Sequence, residues 1–127
     1  LYKPYIVSKI TDESGKTVAT TKSSVVRRGI ASEDILATVR SGMREVVTSG
    51  TACCKIEQEV PVKVAGKTGT AETDPEKGKK PNAWFTSFAP YDNPRVVTVI
   101  LIEGSGEGAQ YAAPATREVL KWYFTHR

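Results

Sequence analysis

Lys63-Val64-Ala65-Gly66-Lys67-Thr68-Gly69-Thr70-Ala71-Glu72 is the stretch on which the fold turns. From Val62 to Glu72 the residues alternate as a strand does, and two glycines interrupt the alternation, Gly66 and Gly69. Glycine in a strand weakens it and marks a place where another backbone or a ligand comes close. Gly66-Lys67-Thr68 also mimics the end of a phosphate-binding loop, but that motif needs a glycine five positions before Gly66, and Pro61 stands there. Such a loop also runs into a helix, whereas the residues from Gly69 onward read as extended. As an exposed strand edge the stretch has a different chemistry. Unpaired N–H and C=O groups can pair with an extended peptide. Lys67 offers charge for a carboxylate, Thr68 and Thr70 offer hydroxyls, Gly69 lets a ligand approach, and the Thr70 N–H can aim at a developing oxyanion.

Upstream, Thr51 to Pro61 is a polar connection. Before it Ser32 caps a helix with Glu33 and Asp34 in its first turn, and Ile35, Leu36, Val39, Met43, Val46 and Val47 share one face. The helix is expected over 33–48, stopped by Gly50. Residues 5–27 read as a hairpin: β-prone Tyr5 to Ile10, a turn at Asp12 to Lys16, then Thr17 to Arg27 rich in Thr, Ser and Val. Downstream, Thr73 to Asn82 is a charged turn with Pro75, Gly78 and Pro81, and Ala83 to Ala89 is the returning strand. After a turn at Asn93-Pro94, Val96-Val97-Thr98-Val99-Ile100-Leu101-Ile102 is an apolar run suited to a strand buried on both faces. Gly104, Gly106 and Gly108 form a loop, and Pro114 opens a helix running to about Phe124. Its apolar face is read as Ala115, Val119, Leu120, Tyr123 and Phe124, with Trp122 at the margin. The fold class is α+β: antiparallel strands and a terminal helix laid on the sheet.

Composition narrows the function. A chain of 127 residues with 39% hydrophobic residues builds one modest core. A net charge of +4 is a solubility property before it is a nucleic-acid signal. Lys77, Lys79 and Lys80 lack interleaved aromatics and read as a solvated loop, so no nucleic-acid partner is expected. Trp84, Phe85 and Phe88 read as core packing, and Gly104 to Gly108 as a turn. No apolar stretch is long enough to span a bilayer. Cys53 and Cys54 are adjacent, so a disulfide between them would be strained, and nothing has metal-ligand spacing. No cofactor and no metal are expected. The only histidine, His126, sits one residue from the end and reads as a surface position.

The Lys67-Thr68-Gly69 element, Asn82-Ala83-Trp84-Phe85-Thr86-Ser87-Phe88-Ala89-Pro90, Asp92-Asn93-Pro94-Arg95, the apolar run and the glycine loop before Ala113-Pro114 stand in an order that resembles the end of the transpeptidase domain of class B penicillin-binding proteins. Leu1-Tyr2-Lys3-Pro4-Tyr5-Ile6-Val7 is similar to the segment after that family's Ser-x-Asn motif. The resemblance covers residues 1–127, with the hairpin at 5–27, the helix at 33–48, and the strands and terminal helix within 62–124. It implies a partial β-lactamase/transpeptidase-like fold in which a serine attacks the D-alanyl-D-alanine end of a peptidoglycan stem peptide, and β-lactams mimic that donor. Lys67 would stabilise charge and contact the Ser-x-Asn serine, Thr68 and Thr70 would bind the terminal carboxylate, Gly69 would complete the substrate-binding segment by letting the ligand come close, and the Thr70 N–H would be one of two oxyanion donors. No serine or threonine here is followed three residues later by Lys, and no serine two residues later by Asn. The nucleophile is therefore expected from the remainder of the transpeptidase domain, the chain's first expected partner. Stem peptide and β-lactams are the others, along with self-association through an uncovered strand edge. The location implied is the extracytoplasmic face of a bacterial membrane, with the anchor outside this chain. A non-catalytic peptidoglycan- or β-lactam-binding sensor on the same fold is the alternative.

Overall fold

The computed structural model describes residues 1–73 and 78–126. It divides into two compact units, Leu1–Leu36 and Ala37–Arg127. In the first, β1 (Lys9–Thr11) and β2 (Thr17–Thr20) form an antiparallel hairpin. The turn between them is organised by Asp12, whose Oδ1 accepts bonds from the Ser14 N–H, the Ser14 hydroxyl and the Lys16 N–H at 3.0, 2.6 and 3.0 Å. The Ser14 hydroxyl, then the Lys16 N–H, hold the Asp12 carboxyl below its ordinary value. The strands are shorter than the hairpin expected over 5–27, but the two arms stay paired beyond them: the Thr21 N–H donates to the Ser8 carbonyl and the Lys3 N–H to the Ser24 carbonyl, both at 2.9 Å, and Tyr2 bridges Val25. Every residue of both strands is exposed, so no buried face extends the register.

Helix α1 (Glu33–Thr48) has the expected bounds and runs through the division between the units. The Ser32 hydroxyl accepts the Ile35 N–H at 3.4 Å, a weak version of the expected cap. The helix stops at Gly50 through close approach: a Cβ there would sit 2.8 Å from Val46 Cα. Its apolar face is only partly used. Val47 is buried, whereas Ile35, Leu36 and Val39 are exposed.

The second unit is built on a three-stranded antiparallel sheet in the order β3 (Ala65–Ala71), β4 (Asn82–Ala89), β5 (Val96–Ile102). The register pairs Thr68 with Phe85 and Phe85 with Ile100, which places Gly66, Thr68, Thr70, Ala83, Phe85, Ser87, Thr98, Ile100 and Ile102 on one face. That face carries the core. Phe85, Val64, Ala83 and Ala89 pack with Val47, Ile56 and Leu120. Helix α2 (Ala112–Thr125) lies on β4 and β5 and starts two residues before Pro114, which falls in its first turn where an N–H has no helical partner. The expected face of α2 needs correction: Ala112, Ala113, Thr116 and Leu120 are the buried residues, while Val119 and Trp122 are exposed. Thr116 enters the core because its hydroxyl donates to the Ala112 carbonyl at 2.9 Å.

The opposite face of the sheet carries Lys67, Gly69, Trp84, Thr86, Phe88, Val97, Val99 and Leu101. Here β5 departs from the expected strand buried on both sides: Val97 is 70% and Val99 61% exposed. Nothing among the described residues of this unit covers that row. For the same reason Phe85 is fully buried but Trp84 is not, which splits the aromatic group expected to be core. Part of the charged turn expected at 73–82, with Pro75 and Lys77, lies outside the described residues; Lys79 and Lys80 are exposed.

Candidate functional site

Among the described residues β3 is an edge strand, paired with β4 alone. Two glycines let it lie flat there. A Cβ on Gly66 would meet Phe85 Cζ at 2.5 Å and the Thr86 carbonyl oxygen at 2.7 Å, so a methyl group would push the strand off its neighbour. Gly108, from the loop before α2, is packed so closely that a Cβ would run into the carbonyl oxygens of Trp84 and Gly69. The glycine loop thus seats on the backbone of the Lys-Thr-Gly segment.

The start of β3 is held by a clamp that sequence reading missed. The Glu57 carboxylate accepts the Val64 N–H at 2.8 Å and two bonds from the Arg44 guanidinium, one of them at 2.8 Å, while Arg44 also donates to the Val64 carbonyl at 2.7 Å. Both polar backbone groups of Val64 are therefore fixed by one half-buried bidentate ion pair. One turn earlier on α1, Arg40 donates to the Tyr91 carbonyl at 2.7 Å, and its guanidinium lies 5.6 Å from the ring centres of Phe88 and Tyr91. Arg40 and Arg44 are four residues apart, one helical turn, and that spacing was the available signal.

Of the four residues expected to form the site, the strand's alternation splits the side chains. Thr68 and Thr70 line a cavity of about 330 Å³ with Thr51, Lys55, Glu107, Gly108 and Ala109. The Thr68 hydroxyl is 3.0 Å from that of Thr51. Lys67 and Gly69 belong to the other face, and Lys67 is exposed with its Nζ donating to the Thr68 carbonyl at 2.7 Å. The motif therefore presents hydroxyls on one side of an open strand edge and a cation on the other. His126 lies at the surface by Trp122, stacked on its ring at 5.3 Å and far in sequence from the motif. Among the described residues no group of His, Cys, Asp and Glu could hold a metal ion. No helix of the described residues is long and apolar enough to cross a membrane.

An antiparallel sheet whose outer strand reads Lys-Thr-Gly-Thr, with a helix on its core face, carries the Lys-Thr-Gly element of penicillin-binding proteins and β-lactamases. The chain belongs to the penicillin-binding protein transpeptidase domain family, whose family model matches residues 1–121. It is 33% identical to the peptidoglycan D,D-transpeptidase PbpA of Mycolicibacterium smegmatis, over 93% of this chain and 24% of that protein. Among solved structures it is similar to the D,D-transpeptidase domain of a peptidoglycan glycosyltransferase from Eggerthella lenta, with a TM-score of 0.76, 29% identity, and 98% of this chain and 28% of that one covered. It is also similar to penicillin-binding protein A of M. tuberculosis as its imipenem acyl-enzyme complex, with a TM-score of 0.70, 28% identity, and 97% and 26% covered. The chain spans about a quarter of the length of these relatives.

Proposed function

We propose that this chain is the substrate-cradling part of a peptidoglycan D,D-transpeptidase, in which β3 receives the D-alanyl-D-alanine end of a stem peptide as an added strand. The observation that carries the reading is the pair of hydroxyls, Thr68 and Thr70, at one cavity on an edge strand, with Lys67 exposed on the strand's other face. Thr68 and Thr70 hold the terminal carboxylate of peptide or β-lactam, Gly69 lets it come close, and Lys67 supplies the positive field. Alternate residues of a strand turn their backbone groups to the same side. The Thr68 carbonyl takes its bond from Lys67 Nζ, so the Thr70 N–H shares that carbonyl's side, which supports its role as an oxyanion donor. The nucleophile and its lysine come from the remainder of the transpeptidase domain, which lies over the row of Trp84, Val97, Val99 and Leu101. The protein works at the extracytoplasmic face of the membrane, where peptidoglycan is.

In the complete parent domain, Lys67→Ala is expected to slow acylation by a fluorescent β-lactam by about 100-fold, the loss of one preorganised electrostatic group, while the melting temperature stays the same. The isolated 127-residue chain, which has no Ser-x-x-Lys, takes up no label in the same assay. Unchanged acylation in the variant removes Lys67 from the site.

A further inference from the structure

Cys53 and Cys54 sit in the turn that walls the Thr68/Thr70 cavity, with their sulfurs 2.9 Å apart and both thiols free. Cys53 Sγ donates to the Thr48 carbonyl at 3.2 Å, and the Cys53 N–H donates to the Gly50 carbonyl at 3.0 Å. Cys54 is exposed and has φ of 62°, the only non-glycine with positive φ among the described residues. That backbone is one L-residues adopt at a cost of about 1–2 kcal/mol. The turn brings the two sulfurs together. On either side of the pair stand Thr51, which meets the Thr68 hydroxyl, and Lys55, which lines the same cavity.

We propose that Cys53 and Cys54 are a redox modification site for low-molecular-weight disulfides, and that closing their ring resets the wall of the Thr68/Thr70 cavity and slows acylation. Cys54, the exposed thiol, loses its proton to water and attacks one sulfur of the reagent disulfide, whose S–S bond breaks and whose other half leaves as a thiolate that takes up a proton. Cys53 is then deprotonated and attacks Cys54 Sγ in the mixed disulfide. The Cys53–Cys54 bond forms, and the second reagent thiol is expelled. Two protein thiols are oxidised and one reagent disulfide is reduced to two thiols. The Cys54 sulfur, then loss of water contact, holds the Cys53 thiol above its ordinary value, which suits it to the second step rather than the first.

Oxidation has a structural consequence. It removes the S–H that Cys53 donates to Thr48 and draws the sulfurs from 2.9 Å to about 2.05 Å. Neighbouring Cα atoms are about 3.8 Å apart, closer than the roughly 4.4–6.8 Å of ordinary disulfides, so the ring strains the turn. Ala52 is fully buried and cannot follow, which leaves Lys55 and the Thr51–Thr68 contact to move. Strained, exposed disulfides are also the readily reduced ones, so the change is reversible.

The effect on acylation rests on the transpeptidase reading; the dithiol chemistry does not. The test takes the full-length parent protein through glutathione buffers of graded redox poise. Trypsin releases Glu45–Lys55, which contains both cysteines. Expected is a peptide two hydrogens lighter under oxidising buffer, restored by dithiothreitol, with altered hydrogen exchange in the segment containing Thr68 to Thr70 and β-lactam acylation about tenfold slower. Cys53→Ser should acylate like the reduced protein in every buffer. Free thiols or glutathione adducts throughout overturn the proposal, as does a closed ring with exchange and acylation unchanged. A parent protein that never acylates, even reduced, defeats the transpeptidase reading instead, and the mass and exchange data still decide the dithiol.

Discussion

Gly66 and Gly69 stand three residues apart on one strand and are needed for different reasons. A methyl group on Gly66 would lie 2.5 Å from Phe85 Cζ and 2.7 Å from a backbone oxygen, and the backbone cannot give way. On Gly69 its nearest neighbour would be Trp84 Cβ at 3.2 Å, on the open face. Gly66→Ala should therefore destabilise by about 2–3 kcal/mol, as overpacking does, whereas Gly69→Ala should stay within about 1 kcal/mol because a stiffer unfolded chain offsets the contact. Urea unfolding of both variants checks this; equal losses would mean that β3 does not lie against β4 as described. Sequence alone marked both glycines as points of close approach. It could not say which neighbour each one meets, because that depends on the register that sets Gly66 opposite Ser87 and beside Phe85.

At the scale of elements, what holds β3 in place is remote in sequence. Glu57 reads as one charge in a polar connection, yet its carboxylate joins the end of α1 to the first residue before β3. Glu57→Ala removes the acceptor for the Val64 N–H and leaves Arg44 half-buried without its partner, so a loss of about 2–4 kcal/mol is expected by chemical denaturation. A loss below about 0.5 kcal/mol would place the pair among surface ion pairs of no consequence. Helix α1 and strands β4 and β5 were legible because periodicity and turn residues act locally. The clamp was not, since no local rule pairs residue 44 with residue 57. The β5 run was read correctly as a strand, but its apolar residues on both faces encode burial that this chain alone does not supply. In α2 the periodic face predicted Val119 inside and overlooked Thr116, whose own backbone bond makes it compatible with the core.

The whole molecule carries more apolar surface than 127 residues can cover. β5, like β3, is an outer strand of the sheet, so among the described residues one of its edges has no strand beside it, and Val97, Val99 and Leu101 project from the face that also bears Trp84. Ile35, Leu36 and Val39 add a second exposed apolar row on α1. An unpaired apolar edge is a template for another chain. The net charge of +4 opposes the approach of copies, but at physiological ionic strength that repulsion reaches only about 8 Å, and added salt shortens it further. The isolated chain should therefore associate, more strongly as salt rises, and bind the rest of its domain when that is supplied. Val99→Lys places a charge in the exposed row without touching the core and should weaken the association. Light scattering across a dilution series decides it: a single species of 13.8 kDa at every concentration and salt would mean that the open edge and bare face are not sticky, and that the remainder of the domain is held by other surfaces.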